Sequence, residues 1–320
     1  MNNQTVYAHY TAHARTGLLP FLDEELARWT WQRLGEAFPL ATSASLMPDH
    51  PHIVAPDEGE AGRLKLGRIL GASGRALGRP FGRGALWEAV PPPLTLDTPD
   101  KHRRMDRYTL LNMCRPWRFR GRWVCLADDP LAWRWTTLHD VIGATADTWV
   151  PAARMAEVHG WRVVEAAEQI HRYVTRDDHV SRQAYELPQA PASSPLPDRS
   201  LDAIVTAALV STRAPVEALR RRGPAREVFL GLARRQGWRQ RAELAKICDV
   251  DPSTVSRIAR RADPELIERA ALCLHPRLQR SVVPVDLEAL RRESWVVPPS
   301  LHAEQRAAPT LPGVSSLWGV

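Results

Sequence analysis

Leu46-Met47-Pro48-Asp49-His50-Pro51-His52-Ile53-Val54-Ala55-Pro56 holds a Pro-Asp turn between two apolar runs. Such a turn predicts consecutive strands over Ala41–Met47 and His50–Ala55. Side chains at i and i+2 of a strand leave the same face. The His50 and His52 imidazoles are therefore placed where one ion could meet both. The spacing is a short motif with many chance occurrences, and it gains weight only from its surroundings.

Upstream, Thr5–Arg15 reads as a strand rich in β-formers, and Asp23–Ala37 as a helix with Leu26, Trp29 and Leu34 on one stripe. Downstream, Glu58–Leu77 has helical periodicity despite Gly62, Gly67, Gly71 and Gly74. Ala85–Val90 and Leu94–Leu96 form a broken strand around three prolines. Lys101–Met113 is a helix for which Asp97 or Asp100 is the expected cap. The order βαββαβα is that of a ferredoxin-like antiparallel sheet with helices packed on one side, an α+β fold. On the last helix Tyr108 and Asn112 are i,i+4 neighbours, so a phenol and an amide share one face.

The His-x-His strand followed by a Tyr-x-x-x-Asn helix resembles the single-tyrosine HUH transposases, and among them the REP-associated tyrosine transposases. Leu86-Trp87-Glu88, Arg107-Tyr108 through Asn112 and Arg115, and Asp129-Pro130-Leu131 with Trp133-Arg134-Trp135-Thr136-Thr137 resemble further pieces of that family in the same order. The likeness covers residues 5–150. It implies an HUH nuclease fold over 1–150, with His50, His52 and Asn112 holding Mg²⁺ or Mn²⁺ and Tyr108 as nucleophile. The implied reaction cleaves and rejoins single-stranded, hairpin-bearing DNA through a 5′-phosphotyrosine. Two imidazoles and one amide oxygen leave an open site suited to such an ion. Arg63, Arg68 and Arg115 are candidate DNA contacts of this half. The sequence departs from the family at Pro51, which has no amide donor, and after Glu88, where Ala89-Val90 and prolines replace basic residues. These departures keep an alternative open: a catalytically inactive, domesticated descendant that binds DNA as a regulator. A histidine-site hydrolase is a third reading, but no carboxylate or serine is evident beside the pair.

The whole chain has 320 residues, a formal charge of +7 and a pI near 9.7, which suit two domains and a polyanionic partner. Four cysteines without CxxC spacing argue against a zinc ribbon or disulfide framework and suit a reducing cytoplasm, here beside the nucleoid. No secretory leader is evident at Met1-Asn2-Asn3-Gln4, and no apolar run reaches the ~20 residues of a membrane span. A monomer or homodimer is expected. Of the tryptophans from Cys114 to Trp149, most are expected in the core and the remainder could stack on bases.

Residues 151–185 read as an amphipathic helical extension, and 186–200, with four prolines, as a linker. Residues 201–285 read as an all-helical domain, with short helices at Leu201–Leu209, Pro215–Arg221 and Arg226–Gln236. Within it, residues 241–261 have a helix-turn-helix pattern, Asp251 serving as N-cap and Pro252 opening the second helix. That helix would present Ser253, Thr254, Ser256, Arg257 and Arg260 outward, toward duplex DNA. Residues 220–261 hold twelve basic and four acidic side chains. Their net +8 exceeds the surplus of the whole chain. Residues 286–320 read as a Pro-rich, disordered tail.

Overall fold

The computed structural model describes residues 5–15, 17–77, 86–119 and 122–282. Its centre is an antiparallel sheet of four strands, β1 (Tyr7–Thr11), β2 (Ser43–Leu46), β3 (Pro51–Pro56) and β4 (Leu94–Leu96), in the order β2-β3-β1-β4. Helix α1 (Glu24–Ala37) links β1 to β2, and α2 (Glu60–Leu77) links β3 to β4. The β2–β3 hairpin between them completes the connectivity of a split β-α-β sheet. Helix α3 (Pro99–Leu111) follows β4.

The sheet is covered on both faces, which corrects the one-sided packing expected from sequence. β2 is buried along its length and β3 in all but its last residue. A strand buried on both faces needs a layer on each. α1 and α2 lie against the face bearing Tyr10 and its register partner Ile53. There the Tyr10 ring packs on Phe38 at 5.2 Å, and a Cβ added at Gly62 of α2 would come within 2.5 Å of that ring. α3 covers the opposite face, which carries His9, His52 and Val54.

Local chemistry sets the helix starts. The Asp23 carboxylate accepts from the Leu26 amide at 2.8 Å and caps α1. α3 starts earlier than expected, because Pro99 takes its first position and the Thr98 hydroxyl accepts from the Lys101 amide. Asp97 and Asp100 do not cap it; they pair with Lys101 and Arg104. Of the expected strand over Ala85–Val90, only a single bridge from Trp87 to Ala14 is present among the described residues. Ala85 lies outside them. The prolines that follow offer no amide donors to extend the ladder.

After α3 come the hairpin β5 (Trp117–Phe119) and β6 (Arg122–Val124), then α4 (Leu138–Val141), α5 (Ala152–His159) and α6 (Val163–Thr175). Trp133 and Trp135 are buried, Trp133 donating to the Leu46 carbonyl and Trp149 to that of Phe38. Trp123, 61% exposed, is the ring left for solvent. No helix or strand falls in 186–200. Beyond it lie α7 (Leu201–Thr212), α8 (Pro224–Arg235), α9 (Arg241–Cys248), α10 (Pro252–Ala259), α11 (Pro264–Leu272) and α12 (Pro276–Gln279). The helix expected over Pro215–Arg221 is a tighter 3₁₀ turn, Val216–Arg220.

These helices share one continuous apolar core with the first half. Buried Arg213, at a left-handed φ of 46°, donates to the Thr136 carbonyl and the Asp140 carboxylate. Arg277 grips Asp129 with two nitrogens. Among the described residues no helix is long and apolar enough to cross a membrane. The tail expected over 286–320 lies outside the described residues.

Candidate functional site

His52 sits in β3 and His50 at the turn that precedes it. Their ring centroids are 4.5 Å apart and the planes nearly perpendicular. Pro51, between them, costs the sheet no hydrogen bond. Its partner across the hairpin is Leu46, whose amide donates to the Trp135 carbonyl and whose carbonyl accepts from Trp133. Leu46 thus turns both backbone groups away from Pro51. On the other side the β1 ladder ends at Thr11 and His52. A proline at the first residue of a strand is tolerated on these terms.

Tyr108 and Asn112 arrive from α3 and its C-terminal cap. The Tyr108 ring stands edge-on to His52 at 5.3 Å, and the Asn112 amide nitrogen lies 2.7 Å from His52 Nε2. The Arg115 guanidinium is 5.3 Å from the Tyr108 ring and 3.9 Å from the Asp177 carboxylate. His50, His52, Tyr108, Asn112 and Arg115 are therefore gathered in one place. Arg63 and Arg68 are not. Both belong to α2 on the far face of the sheet, where Arg63 pairs with Glu60 and reaches the Val90 carbonyl while Arg68 is exposed.

Three further residues join the cluster. His9 Nε2, from β1, is 2.9 Å from His52 Nδ1. Asp49 Oδ1 is 2.6 Å from His50 Nδ1, and the His13 ring lies 4.2 Å from that of His50. Sequence reading passed over them, although one signal was present. His9 and Thr11 alternate along β1 and so share the sheet face of His52, and His13 continues the same spacing just past the strand.

Hydrogen bonding fixes which nitrogens have a free lone pair. An amide nitrogen only donates, so His52 Nε2 accepts from Asn112, and the Nδ1 proton of His52 is given to His9. His50 Nδ1 donates to Asp49, leaving its Nε2 lone pair. Histidines that bind metals are oriented in this way, by a carboxylate or another acceptor on the far nitrogen. Burial, with the neighbouring histidines adding to it, lowers the pKa of His52 well below its ordinary value and that of His9 to about 3. His50 is also lowered by burial, partly offset by Asp49. Burial opposes the charge of Asp49, but His50 and His13 hold its carboxyl below the usual range. Neutral imidazoles are the ligand form, and the donor set His50, His52 and Asn112, with the amide turned oxygen-inward, fits a divalent ion. A second, overlapping set also exists: donor atoms of His13, Asp49 and His50 lie within 4.8 Å of one another.

In the helical half, α9 ends at Asp249 in the left-handed conformation (φ 51°), and Asp251 caps α10 by accepting from the Ser253 amide. Of the apolar positions expected to be buried in the helix-turn-helix pattern, Leu244, Ala245 and Val255 are buried and Val250 and Ile258 half-buried. Of the five side chains expected to point outward, Ser253, Arg257 and Arg260 are exposed and Thr254 and Ser256 half-buried. The Thr254 hydroxyl donates to the Asp251 carbonyl, and Arg260 Nε folds back to that of Ser256.

No family model, curated protein or solved structure matches the chain.

Proposed function

We propose that the chain is a divalent-metal-dependent DNA transposase of the single-tyrosine HUH type. It cleaves and rejoins single-stranded DNA through Tyr108. One observation carries the reading: a phenol, an amide and two neutral imidazoles, drawn from α3 and the β2–β3 hairpin, converge on one face of the sheet. Supporting it are Arg115 beside the phenol and the orienting contacts of His9 and Asp49.

His50, His52 and Asn112 would hold Mg²⁺ or Mn²⁺, which when bound neutralises charge on the scissile phosphate. The remaining chemistry belongs to the protein. Tyr108 Oη attacks phosphorus in line, the P–O3′ bond breaks, and the leaving 3′ oxygen takes a proton. The products are a 5′-phosphotyrosine and a free 3′-hydroxyl. Attack by another 3′-hydroxyl on the same phosphorus rejoins DNA and returns the phenol, so no nucleotide cofactor is required. Burial pushes the Tyr108 hydroxyl up to about 12, with Arg115 pulling it down. At pH 7 only about one phenol in 10⁵ is ionised at that value, so the proton must leave as the phosphate binds. Arg115, 5.3 Å from the ring, is placed to favour the phenolate and to meet the phosphate.

The test is incubation with hairpin-bearing single-stranded DNA and Mn²⁺, followed by denaturing electrophoresis and peptide mapping. A nucleotide remnant on Tyr108, lost in Tyr108→Phe, supports the reading. An adduct on another residue, or none with any hairpin under these conditions, overturns it.

A further inference from the structure

The cleavage chemistry makes no use of the helical half, and residues 220–261 of that half hold twelve basic side chains against four acidic ones. In the first half several basic groups are neutralised locally, Arg33 by Glu36, Arg63 by Glu60, Lys65 by Glu58, Lys101 by Asp97 and Arg104 by Asp100, while exposed Arg15, Arg68 and Arg75 have no acidic partner among the described residues. Between residues 220 and 261 Arg235 pairs with Glu268, but a larger group stands unpaired. Arg220, Arg221, Arg222, Arg257 and Arg261 are exposed, and none pairs with an acidic side chain among the described residues. Unpaired guanidinium groups at this density repel one another and lower stability, unless a polyanion is the intended partner.

Their placement has a shape. α10 rests Val255 and Ala259 against α8 and α9. At about 100° per residue, Ser253, Arg257 and Arg260 then fall on the opposite side of the helix. α9 touches both α10 and the 3₁₀ turn Val216–Arg220 that leads into Arg220–Arg222. One helix therefore separates an outward-facing Ser–Arg stripe from a run of three arginines. A B-form major groove, about 12 Å wide, admits an α-helix and is flanked by phosphates. The A-form groove of RNA is too narrow for one.

We propose that the helical half binds duplex DNA. α10 enters the major groove, Arg257 makes a two-pronged contact to a guanine edge, and Arg220–Arg222 meet flanking phosphates. This goes beyond the cleavage reading and does not depend on it, because it concerns residues that chemistry leaves unused.

The experiment uses the full chain carrying Tyr108→Phe, so that covalent capture plays no part. Bound sequences are selected from a randomised duplex library, and affinities are measured across a salt series. The selected site should contain a fixed guanine. Arg257→Ala should weaken binding to it by roughly 5- to 150-fold and relax the preference at that base. Replacing Arg220, Arg221 and Arg222 by Ser should leave the preferred sequence intact and flatten the log–log salt slope by up to about 2.7, about 0.9 for each phosphate that is no longer neutralised. All four side chains are exposed, so the variants should fold. The proposal is overturned if no sequence is selected, if Arg257→Ala keeps affinity and preference, or if an RNA hairpin binds as tightly as the selected duplex. A chain that fails to cleave but passes this test would sink only the cleavage reading.

Discussion

Asp106 lies two residues before Tyr108 on α3 and is fully buried. Its carboxylate accepts from Ser43 at 2.6 Å, Thr42 at 2.8 Å and His159 Nε2 at 2.8 Å, with His102 Nε2 at 3.3 Å. The side chain thus ties the tyrosine helix to β2 on one side and to α5 on the other. Asp106→Ala removes the acceptor, and the consequences differ by donor. Thr42 can still reach His102 at 2.9 Å and the Val54 carbonyl at 3.5 Å. Ser43 and His159 have no other hydrogen-bond partner among the described residues. Two buried groups left unsatisfied at about 1–3 kcal/mol each give an expected loss near 4 kcal/mol. That is a large part of an ordinary 5–15 kcal/mol stability, yet compatible with a folded chain at 25 °C. Asp106→Asn should cost no more than about 1–2 kcal/mol. Its oxygen still accepts from both hydroxyls, and its amide can donate to His159 once that ring shifts its proton to Nδ1. Urea unfolding followed by tryptophan fluorescence reads both numbers. A loss below about 1 kcal/mol for Ala, or an Asn variant as unstable as Ala, would show that these hydrogen bonds do not hold α3 in place.

Three other outcomes are expected. If Asp49 serves to orient His50, Asp49→Asn should weaken Mn²⁺ binding by about 10- to 100-fold and His13→Ala should leave it unchanged; calorimetry showing that both variants lose binding would place the ion in the His13, Asp49 and His50 set instead. Gly62→Ala should destabilise by about 1–3 kcal/mol, since its Cβ would sit 2.5 Å from the Tyr10 ring, and a thermal midpoint equal to wild type would contradict that packing. Burial holds the pKa of His139 down at about 4, against 6.5 when unfolded. Between those values the unfolded chain binds more protons, so this contribution is complete above pH 6.5 and disappears as pH falls toward 4. It amounts to about 3 kcal/mol at most. His139→Gln, which keeps a donor for the Leu131 carbonyl, should therefore flatten the loss of stability between pH 6.5 and 4, and an unaltered pH profile would remove His139 from the account.

What could be read from the sequence was local. The Pro-Asp turn, the helix opening at Asp23 and the i,i+4 relation of Tyr108 and Asn112 need only neighbouring residues, and each is present in the fold. The start of α3 was equally local and still misjudged. Thr98, Asp97 and Asp100 are all capping types, but only a cap at Thr98 leaves Pro99 at the first helical position, where its missing amide costs nothing. His9 needed a different kind of knowledge. Its alternation with Thr11 and His13 marks a shared strand face but not a partner; its place beside His52 comes from the β1–β3 register, across 43 residues. The tie between Asp106 and His159 spans 53.

The basic residues make the same distinction in charge. Arg63 sits three residues after Glu60, so the helix itself neutralises it, and its face of the sheet is turned from Tyr108. Arg115 has no acid within helical reach in sequence. It meets Asp177 only at 3.9 Å, and its guanidinium stays over the Tyr108 ring. A cation with a strong local partner gains little by binding phosphate, because it must first give up that partner. A cation held loosely beside a phenol has less to lose. By that measure Arg115 belongs with the site, while Arg63 belongs with the surface of α2.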